Sequence, residues 1–236
     1  MKLTVTNSYE KLSELAAEYI AAQVILKPDS VLGLATGSSP VGVYKCLVEK
    51  FNKGCLDFSD VISINLDEYV GLDGSHEQSY RYFMQDHLFN YVNIKPENTF
   101  VPNGCASDLA AECSEYDARV TRLGGIDLQL LGIGPDGHIG FNEPDDHFTA
   151  ETHVVDLLPS TIEANSRFFS SIDEVPKQAV SMGMGSIMKA KKILLIANGK
   201  AKKDVLMEAL NGKITPNLPA SLLQLHRDVT VIFSEE

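Results

Sequence analysis

The chain lacks the positive charge and the long apolar runs that mark several classes of protein. Its 236 residues carry a formal net charge of −12, which repels phosphate backbones and anionic membranes and argues against nucleic-acid or lipid binding. The N-terminus shows no secretion signal, and no apolar run approaches the length of a membrane span. We therefore predict a cytoplasmic protein whose partner is a small molecule rather than a nucleic acid or a membrane.

The cysteines lack any spacing that would mark a metal or redox site. None of Cys46, Cys55, Cys105 and Cys113 belongs to a C-x-x-C pair, and no Cys/His spacing resembles a zinc site. We expect free thiols. Internal repeats, low-complexity stretches and Pro/Ser-rich linkers are also missing, so residues 1–236 are predicted to form a single domain.

Short apolar segments alternate with longer segments of helical periodicity. Strands are predicted at residues 3–6, 31–35, 61–66, 128–132, 179–182, 193–197 and 229–233. Helices are predicted at residues 9–26, 41–51, 108–123 and 202–210, the first of them capped by Asn7 with Glu10 as its reciprocal partner. This alternation predicts an α/β fold, a mostly parallel sheet covered by helices on both faces. Residues 145–176 have the weakest periodicity and are predicted to form a mobile flap.

A turn that could hold a phosphate follows the second predicted strand. Residues 33–40 read Gly-Leu-Ala-Thr-Gly-Ser-Ser-Pro, a strand end, a turn and a helix start, with Pro40 suited to the first helical position and Ser39 to the cap. The free N–H groups of a helix start, with the hydroxyls of Thr36 and Ser38, form a cradle for an anion. A capped helix after a tight turn explains the same pattern. No Gly-Lys-Ser/Thr follows, which excludes a nucleotide P-loop.

Two adjacent carboxylates, Asp67 and Glu68, come directly after the third predicted strand. Burial and like-charge repulsion at such a position raise the pKa of a carboxyl group. A carboxylate with a raised pKa can serve as the base for a carbon-bound proton. The alternative is that one of the two caps the next helix while the other is solvated.

The segment 132–144, Gly-Ile-Gly-Pro-Asp-Gly-His-Ile-Gly-Phe-Asn-Glu-Pro, places Asp136, His138 and Glu143 on one stiff loop after a strand. It formally matches a dinucleotide fingerprint, but its prolines interrupt the helix that should begin there. A metal site is conceivable from residue type, although the spacing matches no known ligand set. We favour proton chemistry, with His138 titrating nearest neutral pH and the acids orienting it.

Polar and glycine-rich residues therefore follow several predicted strands at their carboxyl ends, where open parallel sheets bind ligands. Gly199 and Lys200 follow a further strand. We expect these segments to line one pocket.

Together these motifs closely resemble those of the glucosamine-6-phosphate deaminase (isomerase) family. Segments 33–40, 65–72, 132–144, 165–169, 199–201 and 223–226 all fit, in the same order and over nearly the whole chain. The resemblance implies a Rossmann-like, doubly wound sheet. It also implies a reaction without a cofactor or a metal, in which glucosamine 6-phosphate and water give fructose 6-phosphate and ammonia.

The resemblance also implies a role for each matching residue. Asp67 would move the proton at C2 of the opened sugar, and His138 would assist ring opening, positioned and tuned by Asp136 and Glu143. The residues that would hold the phosphate are Thr36, Gly37, Ser38, Ser39, Arg167 and Lys200. The two cations among them supply local positive charge on an acidic protein.

One part of the chain departs from the regulated members of this family. Those members resemble each other in carrying basic residues after the Asn-Glu-Pro motif and a longer C-terminal tail. Here residues 145–153 are acidic, and the chain stops soon after residue 233. We predict no allosteric activation by N-acetylglucosamine 6-phosphate and leave the oligomeric state open.

Two other functions compete with the deaminase. A 6-phosphogluconolactonase resembles this pattern, but it lacks the Phe-Asn-Glu-Pro motif and commonly has Arg where Tyr69 stands. A non-catalytic sugar-phosphate sensor would not require Asp67, His138 and Glu143 together. It would also usually add a basic helix-turn-helix, which this chain does not show.

Overall fold

The computed structural model describes residues 1–236 and contains ten strands in two sheets. The strands are β1 Lys2–Thr6, β2 Val31–Leu34, β3 Ile62–Asn65, β4 Asp67–Tyr69, β5 Thr99–Phe100, β6 Leu128–Leu131, β7 His153–Asp156, β8 Gln178–Ser181, β9 Ile193–Asn198 and β10 Val229–Ser234. Seven of them form a sheet in the order β1-β10-β9-β6-β2-β3-β5. Every pairing in this sheet is parallel, which confirms the predicted fold class.

Seven α-helices connect the strands. They are α1 Tyr9–Leu26, α2 Val41–Asn52, α3 Tyr80–His87, α4 Leu109–Arg122, α5 Pro159–Ser166, α6 Met184–Met188 and α7 Lys203–Asn211. Ser8, rather than the predicted Asn7, caps α1, because its side chain accepts a hydrogen bond from the N–H of Lys11. Asp108 caps α4 in the same way. No helix is both long enough and apolar enough to cross a membrane.

Each face of the large sheet covers its own hydrophobic core. Leu32 and Leu34 of β2 point to one face, where α1 and α2 pack, while Val31 and Ala35 point to the other. Each core contains 23 buried residues, so neither face is left to solvent. Burial on both faces explains why these strands read as continuous apolar runs.

The second sheet is small and antiparallel, in the order β4-β8-β7. The prediction that residues 179–182 belong to the parallel sheet was therefore wrong. Ala179, Val180 and Ser181 of β8 are all buried. The small sheet packs between the large sheet's hydrophobic core and a third cluster, which contains Tyr69, Phe141, Leu157 and Ala179. A strand buried on both faces gives the same apolar run in either sheet.

The segment predicted as a flap contains regular structure. Residues 145–176 include β7, α5 and a short 3-10 helix, Ile172–Glu174. Pro159 begins α5, where a missing N–H is tolerated. The mobility of this segment stays a prediction.

The order of the strands creates a crevice between β2 and β6. From β2 the chain proceeds outward through β3 to β5, and β6 then returns to the other side of β2. In open α/β sheets, such a reversal leaves a ligand site beyond the carboxyl ends of the two strands. The turn at residues 33–40 and the loop at 132–144 follow these two strands directly.

Candidate active site

The predicted segments meet at one rim of the sheet. They follow β9, β6, β2 and β3, which are four neighbouring strands. The Ser39 hydroxyl donates a hydrogen bond of 2.9 Å to Oδ1 of Asn198, and so joins the turn after β2 to the end of β9. The sequence therefore placed these segments correctly relative to one another.

Asp67 is a buried carboxyl group without a partner. Its side chain is 6% exposed, accepts no hydrogen bond and forms no ion pair. Burial, and to a smaller degree the charge of Glu68, raise its pKa to about 8. A carboxyl group with such a pKa can take up and return a proton near neutral pH.

Glu68 has a structural role that separates it from its neighbour. It accepts hydrogen bonds of 2.9 Å from the backbone N–H groups of Tyr69, Tyr80 and Arg81. Burial raises its pKa, while these N–H groups and the charge of Arg81 oppose that rise. One of the two adjacent carboxylates thus holds the start of α3, as the capping alternative proposed, and the other stays unbonded.

Asp136 and His138 form a pair. Nδ1 of His138 lies 2.6 Å from Oδ1 of Asp136. Burial disfavours the charged form of Asp136, but the close contact with His138 and the charge of His138 outweigh burial and hold the pKa of Asp136 below its ordinary value. The imidazole packs flat against Gly134, where a Cβ atom would lie 2.2 to 2.4 Å from the ring. The glycine therefore makes room for the ring in this orientation.

The loop that carries His138 also lies against Asp67. A Cβ atom on Gly140, two residues beyond His138, would be 3.3 Å from Oδ2 of Asp67. Gly140 has a φ of 59°, a conformation that glycine adopts without strain. The Asp136–His138 pair and the buried carboxyl group thus belong to the same site.

Glu143 is placed differently from the sequence expectation. Its Oε2 accepts a hydrogen bond of 2.9 Å from the N–H of Leu158, and its Oε1 accepts one from the hydroxyl of Thr161. The carboxylate is thus bonded to the first turn of α5 and forms no hydrogen bond with Asp136 or His138. It ties the central loop to the segment predicted as a flap.

The turn after β2, which was predicted to hold an anion, is open to solvent at its tip. Thr36 is half-buried, Gly37 and Ser38 are exposed, and Gly37 has a φ of 94°. Ser39 is buried and makes no capping bond, so the prediction that it caps α2 was wrong, because its hydroxyl is held by Asn198. The Tyr9 hydroxyl lies 3.0 Å from the Ser38 carbonyl oxygen and fixes the turn from α1.

Two cations approach each other at this rim. Arg167 is the C-cap of α5, and Lys202 ends a short 3-10 helix, Lys200–Lys202, that follows β9. Burial, and then the nearby charge of Arg167, lower the pKa of Lys202. Neither cation has a carboxylate partner within salt-bridge distance, whereas the charge of the exposed Lys200 acts on Glu235. Arg167 and Lys202 are therefore close enough for the charge of one to act on the other. Lys202 stands in the same lysine-rich turn as Lys200, whose role in phosphate binding stays a prediction.

A buried carboxyl group, an Asp–His pair and two unpaired cations at one rim define an α/β protein that performs acid–base chemistry on a small anionic ligand. The model of the family "Glucosamine-6-phosphate isomerases/6-phosphogluconolactonase" matches residues 5–232, and the chain belongs to this family.

Several relatives match over the full length of the chain. A glucosamine-6-phosphate deaminase of Lachnoclostridium phytofermentans is 63% identical over 98% of both chains. One of Clostridium perfringens is 57% identical over 100% of this chain and 98% of its own.

The solved structure of a monomeric glucosamine-6-phosphate deaminase superposes with a TM-score of 0.97 at 46% identity, covering 99% of this chain and 97% of its own. A 6-phosphogluconolactonase from Thermotoga maritima covers 100% of this chain and 99% of its own at a TM-score of 0.78. Its 20% identity supports a shared fold alone.

Proposed function

We propose that the protein is a glucosamine-6-phosphate deaminase, which converts glucosamine 6-phosphate and water to fructose 6-phosphate and ammonia. The observation that carries the proposal is that the buried, unbonded carboxyl group of Asp67 lies against the loop that carries the Asp136–His138 pair. The full-length similarity to proteins of that name supports the same substrate.

Arg167 and Lys202 hold the phosphate, together with the backbone and hydroxyl groups of residues 36–39. The half-buried Lys202 and the exposed Arg167, neither with a carboxylate partner, are suited to a doubly charged anion. We assign the lysine of this pair to Lys202 rather than to the exposed Lys200. Anchoring one end of the sugar fixes the distance of C1 and C2 from the catalytic groups.

His138 opens the pyranose ring. It takes the proton of the C1 hydroxyl and returns a proton to the ring oxygen, so that C1 becomes an aldehyde. Asp136 beside Nδ1 keeps the imidazole in one orientation. Ring opening must come first, because only the C1 carbonyl makes the C2 proton acidic.

Asp67 then moves that proton from C2 to C1. Removal from C2 gives an enolamine, and return to C1 gives an imine at C2. Water adds to the imine carbon, and the C–N bond breaks to release ammonia and the ketone. A pKa of about 8 suits a group that must both accept and donate within one turnover.

Glu143 acts through α5. Its bonds to Leu158 and Thr161 hold the first turn of the helix whose C-cap is Arg167. It thereby positions a phosphate ligand relative to the loop that carries His138. No regulatory phosphosugar is needed, and we expect hyperbolic kinetics with and without N-acetylglucosamine 6-phosphate.

The test is to mix the purified protein with glucosamine 6-phosphate and to measure ammonia and fructose 6-phosphate in equal amounts. Hydrolysis of 6-phosphogluconolactone without ammonia release would replace the deaminase with the lactonase. Saturable binding of glucosamine 6-phosphate without any product would identify a sensor instead.

A further inference from the structure

Ser181 lies directly opposite Asp67 in the small antiparallel sheet. The register of β4 and β8 pairs these two residues, and opposed residues in such a pair point to the same face with Cβ atoms about 4.5–5.5 Å apart. Both side chains are buried, Ser181 completely and Asp67 to 94%. A hydroxyl group and an unbonded carboxyl group therefore share a dry face of the sheet.

The loop that carries His138 touches both side chains at one point. A Cβ atom on Gly140 would lie 3.2 Å from Oγ of Ser181 and 3.3 Å from Oδ2 of Asp67. The next residue, Phe141, donates its backbone N–H to Oγ of Ser181 at 3.1 Å. The oxygen of Ser181 is thus held in place as an acceptor.

The hydrogen of the Ser181 hydroxyl has no good acceptor of its own. Its contact with the carbonyl oxygen of Met182 is 3.5 Å long, at the limit of a hydrogen bond. A buried donor that is left unsatisfied is unfavourable. The carboxylate of Asp67 is an acceptor on the same face.

We propose that Ser181 is a positioning residue for Asp67, whose hydroxyl donates to Oδ2 of the carboxylate and leaves Oδ1 directed at C2 of the sugar. This role rests on the proposed deaminase function. Hydrogen bonds among catalytic groups are commonly long without a ligand and tighten when substrate binds. Only the Asp67 side chain has to reorient for this bond to form, since Oγ of Ser181 is already held by the N–H of Phe141.

The other hydroxyl groups near Asp67 are already bonded elsewhere. Tyr44 of α2 donates to the carbonyl oxygen of Ala35, and Tyr116 of α4 donates to that of Asn65. The rings of Tyr69 and Tyr80 pack against each other with centroids 4.9 Å apart. The hydroxyl that the strand register places opposite the carboxylate is that of Ser181.

Few groups near Asp67 can change charge in the working pH range. Burial raises the pKa of each neighbouring tyrosine, which keeps all of them neutral; they are Tyr44, Tyr69, Tyr80 and Tyr116. The titratable groups that remain are Glu68, which is held by three backbone N–H groups, the Asp136–His138 pair on the loop that lies against Asp67, and His153 of β7, which pairs with Ser181 from its other side. His153 contacts the carbonyl oxygen of Glu151.

The test compares Ser181→Ala and Ser181→Thr with the wild type over a range of pH. Because a hydrogen bond to a charged group is lost, Ser181→Ala is expected to lower kcat by about 10-fold or more with KM unchanged. The acid limb of its pH profile of kcat/KM moves to higher pH, because the carboxylate has lost a hydrogen-bond donor and its pKa rises. Ser181→Thr keeps the hydroxyl and restores both values. With substrate deuterated at C2, the isotope effect on kcat rises in Ser181→Ala alone.

Ser63→Ala is the matched control. Oγ of Ser63 is also fully buried and has no partner, but it lies on β3 outside the site, so its removal should leave the pH profile unchanged. Should Ser181→Ala fail to fold, Ser181→Cys keeps the volume with a weak donor and carries the same expected shift.

Three results would overturn the role. If the wild type is active and Ser181→Ala is equally fast with an unmoved acid limb, the role of Ser181 is overturned while the proposed function stands. A Ser181→Thr variant that is as slow as Ser181→Ala has the same consequence. A wild type that releases no ammonia overturns the proposed function, and the role of Ser181 with it.

Discussion

Oδ1 of Asp136 lies 2.6 Å from Nδ1 of His138 and 3.2 Å from the backbone N–H of the same residue. One carboxylate oxygen thus holds both the ring and the backbone of the histidine. A carboxylate at Nδ1 favours a proton there, which leaves Nε2 as the atom that exchanges protons with the substrate. The same contact holds the pKa of Asp136 below its ordinary value against the effect of burial.

Asp136→Asn should therefore slow ring opening rather than proton transfer at C2. Because the amide neither fixes the same tautomer nor stabilises imidazolium, we expect kcat to fall about 100-fold or more. With substrate deuterated at C2, the isotope effect should shrink, since ring opening becomes limiting. A larger isotope effect in this variant would assign Asp136 to the wrong step.

Asp67→Asn should remove turnover and stabilise the fold. The pKa of Asp67 is about 8 in the native protein and 3.8 ordinarily, so between these values the native state binds the additional proton. The stability of the wild type therefore falls as pH rises from about 4 to 8, and Asn removes this loss. We expect the variant to be more stable by about 1–3 kcal/mol at pH 8.5 and by much less at pH 4.5, as measured by urea unfolding.

Asp127→Asn provides the control of opposite sign. Burial disfavours the charge of Asp127, but hydrogen bonds from Lys191, Lys27 and the N–H of Val31 outweigh burial and lower its pKa. The stability that the Asp127 carboxylate contributes is present above its pKa in the unfolded chain. It is lost as pH falls through its pKa in the native protein. Asn should destabilise the protein at neutral pH and less so in acid. If both variants changed stability in the same direction with pH, the account of Asp67 would be wrong.

Lys202→Met and Lys200→Met should differ in their effect on phosphate binding. Lys202 is half-buried beside Arg167 without a carboxylate partner, whereas Lys200 is exposed. We expect Lys202→Met to raise KM for glucosamine 6-phosphate about 10-fold or more and to abolish inhibition by inorganic phosphate. Lys200→Met should stay within about twofold of the wild type. The reverse order of effects would return the role to Lys200.

The sequence was informative where a residue type has few uses. Asp136, His138 and the glycines around them could be read as a loop for proton chemistry, because no core or solvated turn requires that set. Lys202 could not be separated from Lys200 in this way, since two lysines in one turn differ only in which is buried. Glu68 and Asp67 are adjacent and alike in sequence, and three backbone N–H groups, two of them from residues more than ten positions away, decide between them. The pairing of Asp67 with Ser181 depends on a strand register that periodicity does not contain.

Gly33→Ala should destabilise the fold through one buried side chain. A Cβ atom on Gly33 would lie 2.1 Å from Oε1 of Gln129, which is completely buried on the neighbouring strand. Overpacking of this kind costs about 1–3 kcal/mol. Combining it with Gln129→Ala should restore part of the loss, so that a double-mutant cycle gives a coupling of about 1 kcal/mol or more. Additive losses in urea unfolding would mean that the two positions do not collide.

Gly134→Ala should reduce activity without replacing a catalytic residue. The added methyl group would lie 2.2 to 2.4 Å from the ring atoms of His138, so the imidazole must swing away from its present position beside Asp136. Because the ring is partly exposed, it can move outward, and we expect a small change in melting temperature but a fall in kcat of about 100-fold. Gly132→Ala, where a methyl group meets no atom within 4 Å, sets the reference for the melting temperature of an alanine in this loop. The ring of His138 can be followed by NMR, and a displaced but fully active imidazole would show that its contact with Asp136 is not needed for ring opening.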